Sequence, residues 1–315
     1  MSAKATIAGL TGDTRSAVRT ALKELGISAF SYPNSTEELI SSVKIGGSDI
    51  VVFGVDFEKG KALNAIKSLR LDKLGNDLNP YATVMCTAWA NDQAPLQKAI
   101  SAGVDDLLMF PVALNKLKTR IEKTIHDRKP FIVTNDYVGP ERRRDPERVS
   151  SIPYFHPPNS LKMQLSGEKV QASDIRDAIE QSRSTMGAER LKREAFQIAF
   201  LARVATEDFM DSGPSETVVG HLKRMLKVLD SLEARNKQFE GPDISELAKT
   251  LRSTLQQCLD AQFEEAPSIQ DVLRMLRLVE PICRGISLLL GLANEEDELI
   301  REIGDSVATF RSRQR

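Results

Sequence analysis

The residues able to do chemistry are few and scattered. The 315-residue chain has three histidines, His126, His156 and His221, and three cysteines, Cys86, Cys258 and Cys283. The cysteines are odd in number, far apart and set among apolar neighbours. That marks them as small buried residues of a reducing compartment, not as disulfide partners or zinc ligands. Histidines spaced this widely build no His-rich metal site, so no metal is expected. Gly9-Leu10-Thr11-Gly12-Asp13 carries two glycines but not the spacing that cradles a pyrophosphate. No nucleophile–base pair and no paired-carboxylate motif accompanies it, so neither enzymatic turnover nor a cofactor is expected. The remaining chemistry is recognition. Arg142, Arg143 and Arg144 form three consecutive forks suited to the carboxylates or phosphates of a partner. The competing reading is a solvated linker paired with Glu141, Asp145 and Glu147. Trp89, the only tryptophan, is either a packing residue or an interface anchor.

Composition narrows the partners. Lys and Arg number 43 against 44 Asp and Glu, a net charge of −1. The charge is +3 over residues 1–130, +1 over 131–170 and −5 over 171–315. No stretch is basic enough to follow a phosphate backbone, so nucleic acid is not expected. No apolar run reaches the ~18–20 residues of a membrane span. The opening MSAKATIAGL lacks a secretory apolar core, so a cytoplasmic protein is expected. With aromatics at 5% and Leu and Ala plentiful, helices are favoured over an all-β core.

The first 130 residues alternate between apolar runs and helical patterns. Strands are expected at 4–10, 27–32, 49–55, 82–87 and 106–110. The 49–55 run, DIVVFGV, is apolar throughout, as a strand buried on both faces requires. Helices are expected at 14–25, from Ser35 to Val43 with Ser35 and Glu38 as a capping box, and at 61–72, 92–101 and 114–128. Five strands alternating with five helices over short loops imply right-handed crossovers and a doubly wound parallel sheet. Ligands of such sheets bind beyond the carboxyl ends of the strands. Gly9, Leu10, Gly54, Val55, Thr87, Ala88 and Phe110 fall there.

This order and spacing resembles the receiver domain of two-component response regulators, over about residues 3–128. The matches are Thr87-Ala88, Ala102-Gly103-Val104-Asp105-Asp106-Leu107-Leu108 leading into Phe110-Pro111, and the Asp49-Ile50-Val51-Val52-Phe53 run. The resemblance implies a flavodoxin-like sheet, signalling partners and, in an intact member, an aspartyl phosphoacceptor with Mg²⁺. The departures fall on that chemistry. Gly9 and Leu10 stand where an acidic pair belongs, Gly54 stands where the acceptor Asp belongs, and Phe110 replaces the Lys; Thr87 alone is retained. Acyl-phosphate formation needs a carboxylate nucleophile, a divalent cation and a cation on the phosphoryl oxygens. Glycine, leucine and phenylalanine supply none of these, so a phosphate-independent pseudo-receiver is expected, with Phe110 filling the vacated pocket. The competing reading is a shifted acidic pocket made from Asp13 and Asp56.

Residues 130–172 are expected to be a Pro/Arg-rich linker, since prolines at 130, 140, 146, 153, 157 and 158 exclude a continuous helix. Phe131-Ile132-Val133-Thr134 reads as a short extended piece. Tyr137-Val138-Gly139-Pro140-Glu141-Arg142-Arg143 resembles a tail that follows receiver-like domains in some alphaproteobacterial proteins. From 173 to 315 the period becomes helical, giving about five helices in an antiparallel bundle or a dimeric coiled assembly. The seams are Leu191, Ala195, Ile198, Ala202, Ala205, Phe209; Val218, Leu222, Met225, Leu229, Leu232; Ile244, Leu247, Leu251, Leu255; Ile269 to Leu290; and Ile300, Ile303, Val307, Phe310. Pro281 falls within one seam and should kink that helix. Gly220-His221-Leu222-Lys223 resembles, with its spacing off by one, the histidine phosphotransfer motif. The expected function is therefore a signalling adaptor of a two-component-type pathway, divided as 1–129, 130–172 and 173–315. It would contact other signalling proteins and self-associate through its C-terminal helices. The alternatives are a phosphorelay intermediate using His221 and a self-assembling helical scaffold.

Overall fold

The computed structural model describes residues 3–89, 93–134, 136–142, 154–166, 171–238, 241–262, 269–291 and 296–312. By internal contacts the chain divides into two compact units, Met1–Met186 and Gly187–Arg315.

The first unit is built on five parallel strands: β1 (Lys4–Ala8), β2 (Ala29–Ser31), β3 (Ile50–Gly54), β4 (Thr83–Trp89) and β5 (Asp106–Phe110). Their order is β2-β1-β3-β4-β5, the flavodoxin-like doubly wound arrangement. All five residues of β3 are buried, as its unbroken apolar run requires of a central strand covered on both faces. The covering helices are α1 (Gly12–Glu24), α2 (Thr36–Ser42), α3 (Lys61–Arg70), α4 (Gln93–Ser101) and α5 (Leu114–His126). Helix α1 buries Val18, Ala21 and Leu22 and stops at Gly26, whose φ of +92° suits a residue without Cβ. Helix α2 is capped by the Ser35 hydroxyl, which accepts from the Glu38 amide at 3.2 Å. The Glu38 carboxylate reaches one residue past the expected cap partner and accepts from the Asn34 amide. Two apolar clusters flank the sheet. One gathers Val51, Phe53 and Val84 under α2, α3 and α4, and the other gathers Ile7, Val52 and Leu108 under α1 and α5.

Residues 131–142 and 154–166 continue this unit. They form β6 (Phe131–Val133), β7 (Val138–Pro140), β8 (Tyr154–Phe155) and α6 (Ser160–Leu165), with β6 pairing antiparallel to both β7 and β8. Phe131, Val133 and Val138 share a core with Leu71, Tyr81, Ile175, Ile179 and Met186. A buried polar cluster ties this strap to the main sheet. Asp105 accepts from Arg70 Nη2 at 2.8 Å, from Arg128 Nε at 2.7 Å and from the Val84 amide at 2.8 Å. Both guanidinium groups also lie against the Phe131 ring, at 5.2 and 4.9 Å from its centroid. Burial, only partly offset by Asp105, pulls the Arg70 pKa down to about 10.

Helix α7 (Ala172–Ser212) begins in the first unit and enters the second, where α8 (Glu216–Gln238), α9 (Ser245–Gln262), α10 (Ile269–Leu289) and α11 (Glu296–Ser312) follow. The core of the second unit contains the expected seam of α8 in full and that of α7 except Ala205, which is buried but outside this cluster. In α9 and α11 the seam slips by one residue. Ala248 is buried and Leu247 half-buried, while Leu299 is buried and Ile300 is 40% exposed. Each slip falls where two apolar residues adjoin, so periodicity alone does not choose between them. Helix α10 continues through Pro281 as one element. The sequence also places helix breaks at Ala266-Pro267 and at 292–294, and these lie outside the described residues. No helix among the described residues is long and apolar enough to cross a membrane.

Candidate functional site

Parallel register brings the carboxyl ends of β1, β3, β4 and β5 to one edge. Gly54 pairs with Thr87, and Trp89 with Phe110. Gly54 is the buried last residue of β3. A Cβ on it would stand 2.9 Å from the Gly9 carbonyl oxygen and 3.0 Å from Asp56 Oδ1. Real Cβ atoms do not approach a backbone oxygen that closely, so the tip of β3 has no room for a side chain unless β1 yields.

The loop after β3 closes the same space from above. Gly9 has φ +63°, and a Cβ there would meet the Phe57 ring at 2.7 Å. Phe57 therefore lies directly over the turn that follows β1. Its loop is held by an unusual backbone: Glu58, Lys59 and Gly60 all have positive φ. The Glu58 carboxylate accepts from the Thr36 amide at 2.5 Å, at the positive end of α2. Hydrogen bonding to Thr36, side chain first and amide second, pulls the Glu58 carboxyl below the usual carboxylate range.

The pocket floor is apolar. Leu10 and Phe110 are both buried, in one cluster with Leu108 and Leu117. The Thr87 hydroxyl turns back to the Phe53 carbonyl oxygen at 3.4 Å, and the Thr87 carbonyl accepts from the Val55 amide. Trp89 is 60% exposed, with its ring 6.3 Å from that of Phe110 at a tilt of 55°. The edge thus presents a buried phenylalanine carrying an exposed indole. Asp13 is exposed in the first turn of α1, and Asp56 is exposed beside Gly54. Among the described residues no three His, Cys, Asp or Glu side chains are grouped to hold a metal ion.

The cysteines are all buried and unbridged. Burial, with the Asp56 charge nearby, pushes the Cys86 thiol up to about 12, and burial pushes Cys258 up to about 11. Neither supplies a thiolate near neutral pH. His221, on α8, has Nε2 3.0 Å from Asp208 Oδ2 on α7; Asp208 also forms an ion pair with Arg311 of α11 at 2.6 Å. The histidine serves an ion-paired junction of three helices.

The Tyr-Val-Gly-Pro string is part of the fold. Gly139 lies on Gly103: a Cβ on Gly103 would be 2.3 Å from the Val138 carbonyl oxygen, and one on Gly139 would be 2.7 Å from the Gly103 Cα. The Tyr137 hydroxyl donates to the Pro140 carbonyl, and Arg142 Nη2 donates to the Val104 carbonyl at 2.6 Å. Arg142 is therefore anchored within the chain, while Arg143 and Arg144 lie outside the described residues. Periodicity gave no hint of Arg70, Asp105 and Arg128 as a buried cluster. The only available signal was the Gly103-Val104-Asp105 match itself.

No family model matches the chain, and no curated protein matches it. Among solved structures it is similar to a response regulator from Thermotoga maritima, with 21% identity over 39% of this chain and 97% of that one and a TM-score of 0.31. It is also similar to the response regulator RPA3017 in red light signaling of R. palustris, with 15% identity over 39% of this chain and 92% of that one and a TM-score of 0.31. The architecture assigned above rests on strand order and register in this chain.

Proposed function

We propose that the chain is a signalling adaptor of a two-component-type pathway whose receiver-like unit acts by protein contact, without phosphorylation. One observation carries the reading: the tip of β3 is a buried glycine boxed in by the Gly9 carbonyl and Asp56. Phosphoryl transfer to this position has no nucleophile, and the apolar Leu10 and Phe110 beside it neither hold Mg²⁺ nor neutralise phosphoryl oxygens. An arrangement that is already closed and apolar presents one surface to partners, whatever the phosphodonor level. Trp89 on Phe110 is the anchor this reading assigns to partner binding. The C-terminal helices supply self-association, and signalling proteins, not nucleic acid, are the partners.

The relay alternative has less support, because the His221 ring nitrogen that would carry a phosphoryl group is engaged by Asp208. Trp89 provides the test, being the only tryptophan and lying at the strand edge. Its fluorescence should not respond to Mg²⁺ with beryllium fluoride, which reports binding at an intact acceptor pocket. A saturable response to that pair would overturn the proposal. Light scattering across a concentration series tests self-association, and a constant monomer mass would remove it.

A further inference from the structure

A second concavity, about 300 Å³ in volume, lies at the opposite end of the sheet, where β5 begins. It stands roughly the length of a five-residue strand, about 16 Å, from the edge that carries Gly54. Its walls are the C-terminal half of α5, the start of β5 and the chain leaving β7 at Pro140 and Arg142. It therefore exists only because the strap folds back over α5.

The charges around it are unevenly matched. Asp105 is saturated by Arg70, Arg128 and the Val84 amide. Asp106 is held by Arg120 through two hydrogen bonds of 2.9 and 2.6 Å. Those pairs fix the floor and neutralise it. Lys123 and Lys129 also line the cleft, and no ion pair joins either of them to a described carboxylate. Arg142 is fixed by a carbonyl, which orients the guanidinium without cancelling its charge, and its buried Nε has no acceptor. Asp127 is the one lining carboxylate without an ion pair among the described residues. Among the described residues, three cations without an ion pair face one carboxylate across a preformed cleft.

We propose that this cleft binds the phosphate group of a small phosphomonoester. Arg142, with Nη2 spent on the Val104 carbonyl, would present its remaining N–H groups to the phosphate, and Lys123 and Lys129 would act as point charges on the same oxygens. The volume equals that of about ten water molecules, at the small end of ligand pockets, so there is room for more than a bare oxyanion. Asp127, and the Thr124 hydroxyl already bonded to the Arg120 carbonyl, face the rest of the ligand and suit its hydroxyl groups.

The test uses the full chain at low salt, with AMP, ribose 5-phosphate and inorganic phosphate as probes and calorimetry with ³¹P NMR as readouts. Lys123 and Lys129 are exposed, so the double variant K123A/K129A leaves the fold intact. Saturable binding of an ester should weaken about tenfold in that variant. It should tighten a few-fold in Asp127→Asn, a change opposite to that of general damage. Inorganic phosphate binding as tightly as the esters, with the same response to the variants, would assign the site to free phosphate. Absence of saturable binding by all three probes, or binding that the lysine pair leaves unchanged, would overturn the proposal.

Discussion

Replacing Gly54 by Asp is the direct way to restore a missing acceptor, and it is expected to fail. The new Cβ would be 2.9 Å from the Gly9 carbonyl oxygen and 3.0 Å from Asp56 Oδ1. Asp56 is exposed and can swing away, but the carbonyl belongs to the backbone between β1 and α1. Overpacking of this kind costs about 1–3 kcal/mol. A carboxylate beside a carbonyl and a second carboxylate, with Leu10 and Phe110 as the nearby floor, adds a further penalty of about 1–3 kcal/mol. The expected total is about 4 kcal/mol. For a unit of this size that moves the urea midpoint by roughly 1.5–2 M. Trp89 fluorescence is the assay, because the only tryptophan lies in the first unit and reports its unfolding separately from the helical unit. Gly54→Ala separates the two contributions, with an expected cost of about 1–2 kcal/mol from sterics alone. A Gly54→Asp protein as stable as the parent that also took up a phosphoryl group would refute the reasoning, because the pocket would then be open.

Three further perturbations probe the parts that surround this site. Gly103→Ala should destabilise the first unit by about 2–4 kcal/mol, since its φ is +77° and its Cβ would strike the Val138 carbonyl oxygen; loss of amide protection at Val138–Pro140 in hydrogen exchange would localise the effect. Asp105→Asn leaves Arg70 and Arg128 without a buried counter-charge and should cost about 3–5 kcal/mol in urea unfolding. Asp49 is buried, and desolvation lifts its carboxyl above the usual range despite the Lys4 amide. The folded state therefore holds that proton more tightly than the unfolded chain, and this contribution to stability falls as pH rises from about 4 through the folded value. Asp49→Asn should remove that slope and raise stability at neutral pH, as read from urea midpoints between pH 4 and 7.

The strands of the sheet were legible because each is a short apolar run bounded by turn residues. Parallel pairing followed from the intervening helices, whereas the flavodoxin-like arrangement was implied by the resemblance to receivers. The expected strand at 49–55 overshot β3, which runs Ile50–Gly54, by one residue at each end; Gly54 as its last residue came from the resemblance to receivers, not from the apolar run. What escaped the sequence depends on contacts between distant positions. Phe131–Val133 was legible as a short extended piece, but its pairing was not, and the three-residue strand Val138–Pro140 carries too little periodicity to be read locally. Their stability comes from Arg70, 61 residues before Phe131, and from the Gly103–Gly139 approach. The closed loop over Gly9 was equally hidden, because nothing in Phe57-Glu58-Lys59-Gly60 announces three successive left-handed residues. The seam of α11 went to Leu299 where Ile300 was expected, a choice made by packing between adjacent apolar side chains.

The central claim is that the receiver-like unit takes no phosphoryl group. The most direct measurement is the intact mass of the full chain after incubation with acetyl phosphate and Mg²⁺, with and without hydroxylamine. The account predicts an unchanged mass in both samples. A hydroxylamine-labile gain of one phosphoryl group, mapped to Asp56 or Asp13, would contradict it.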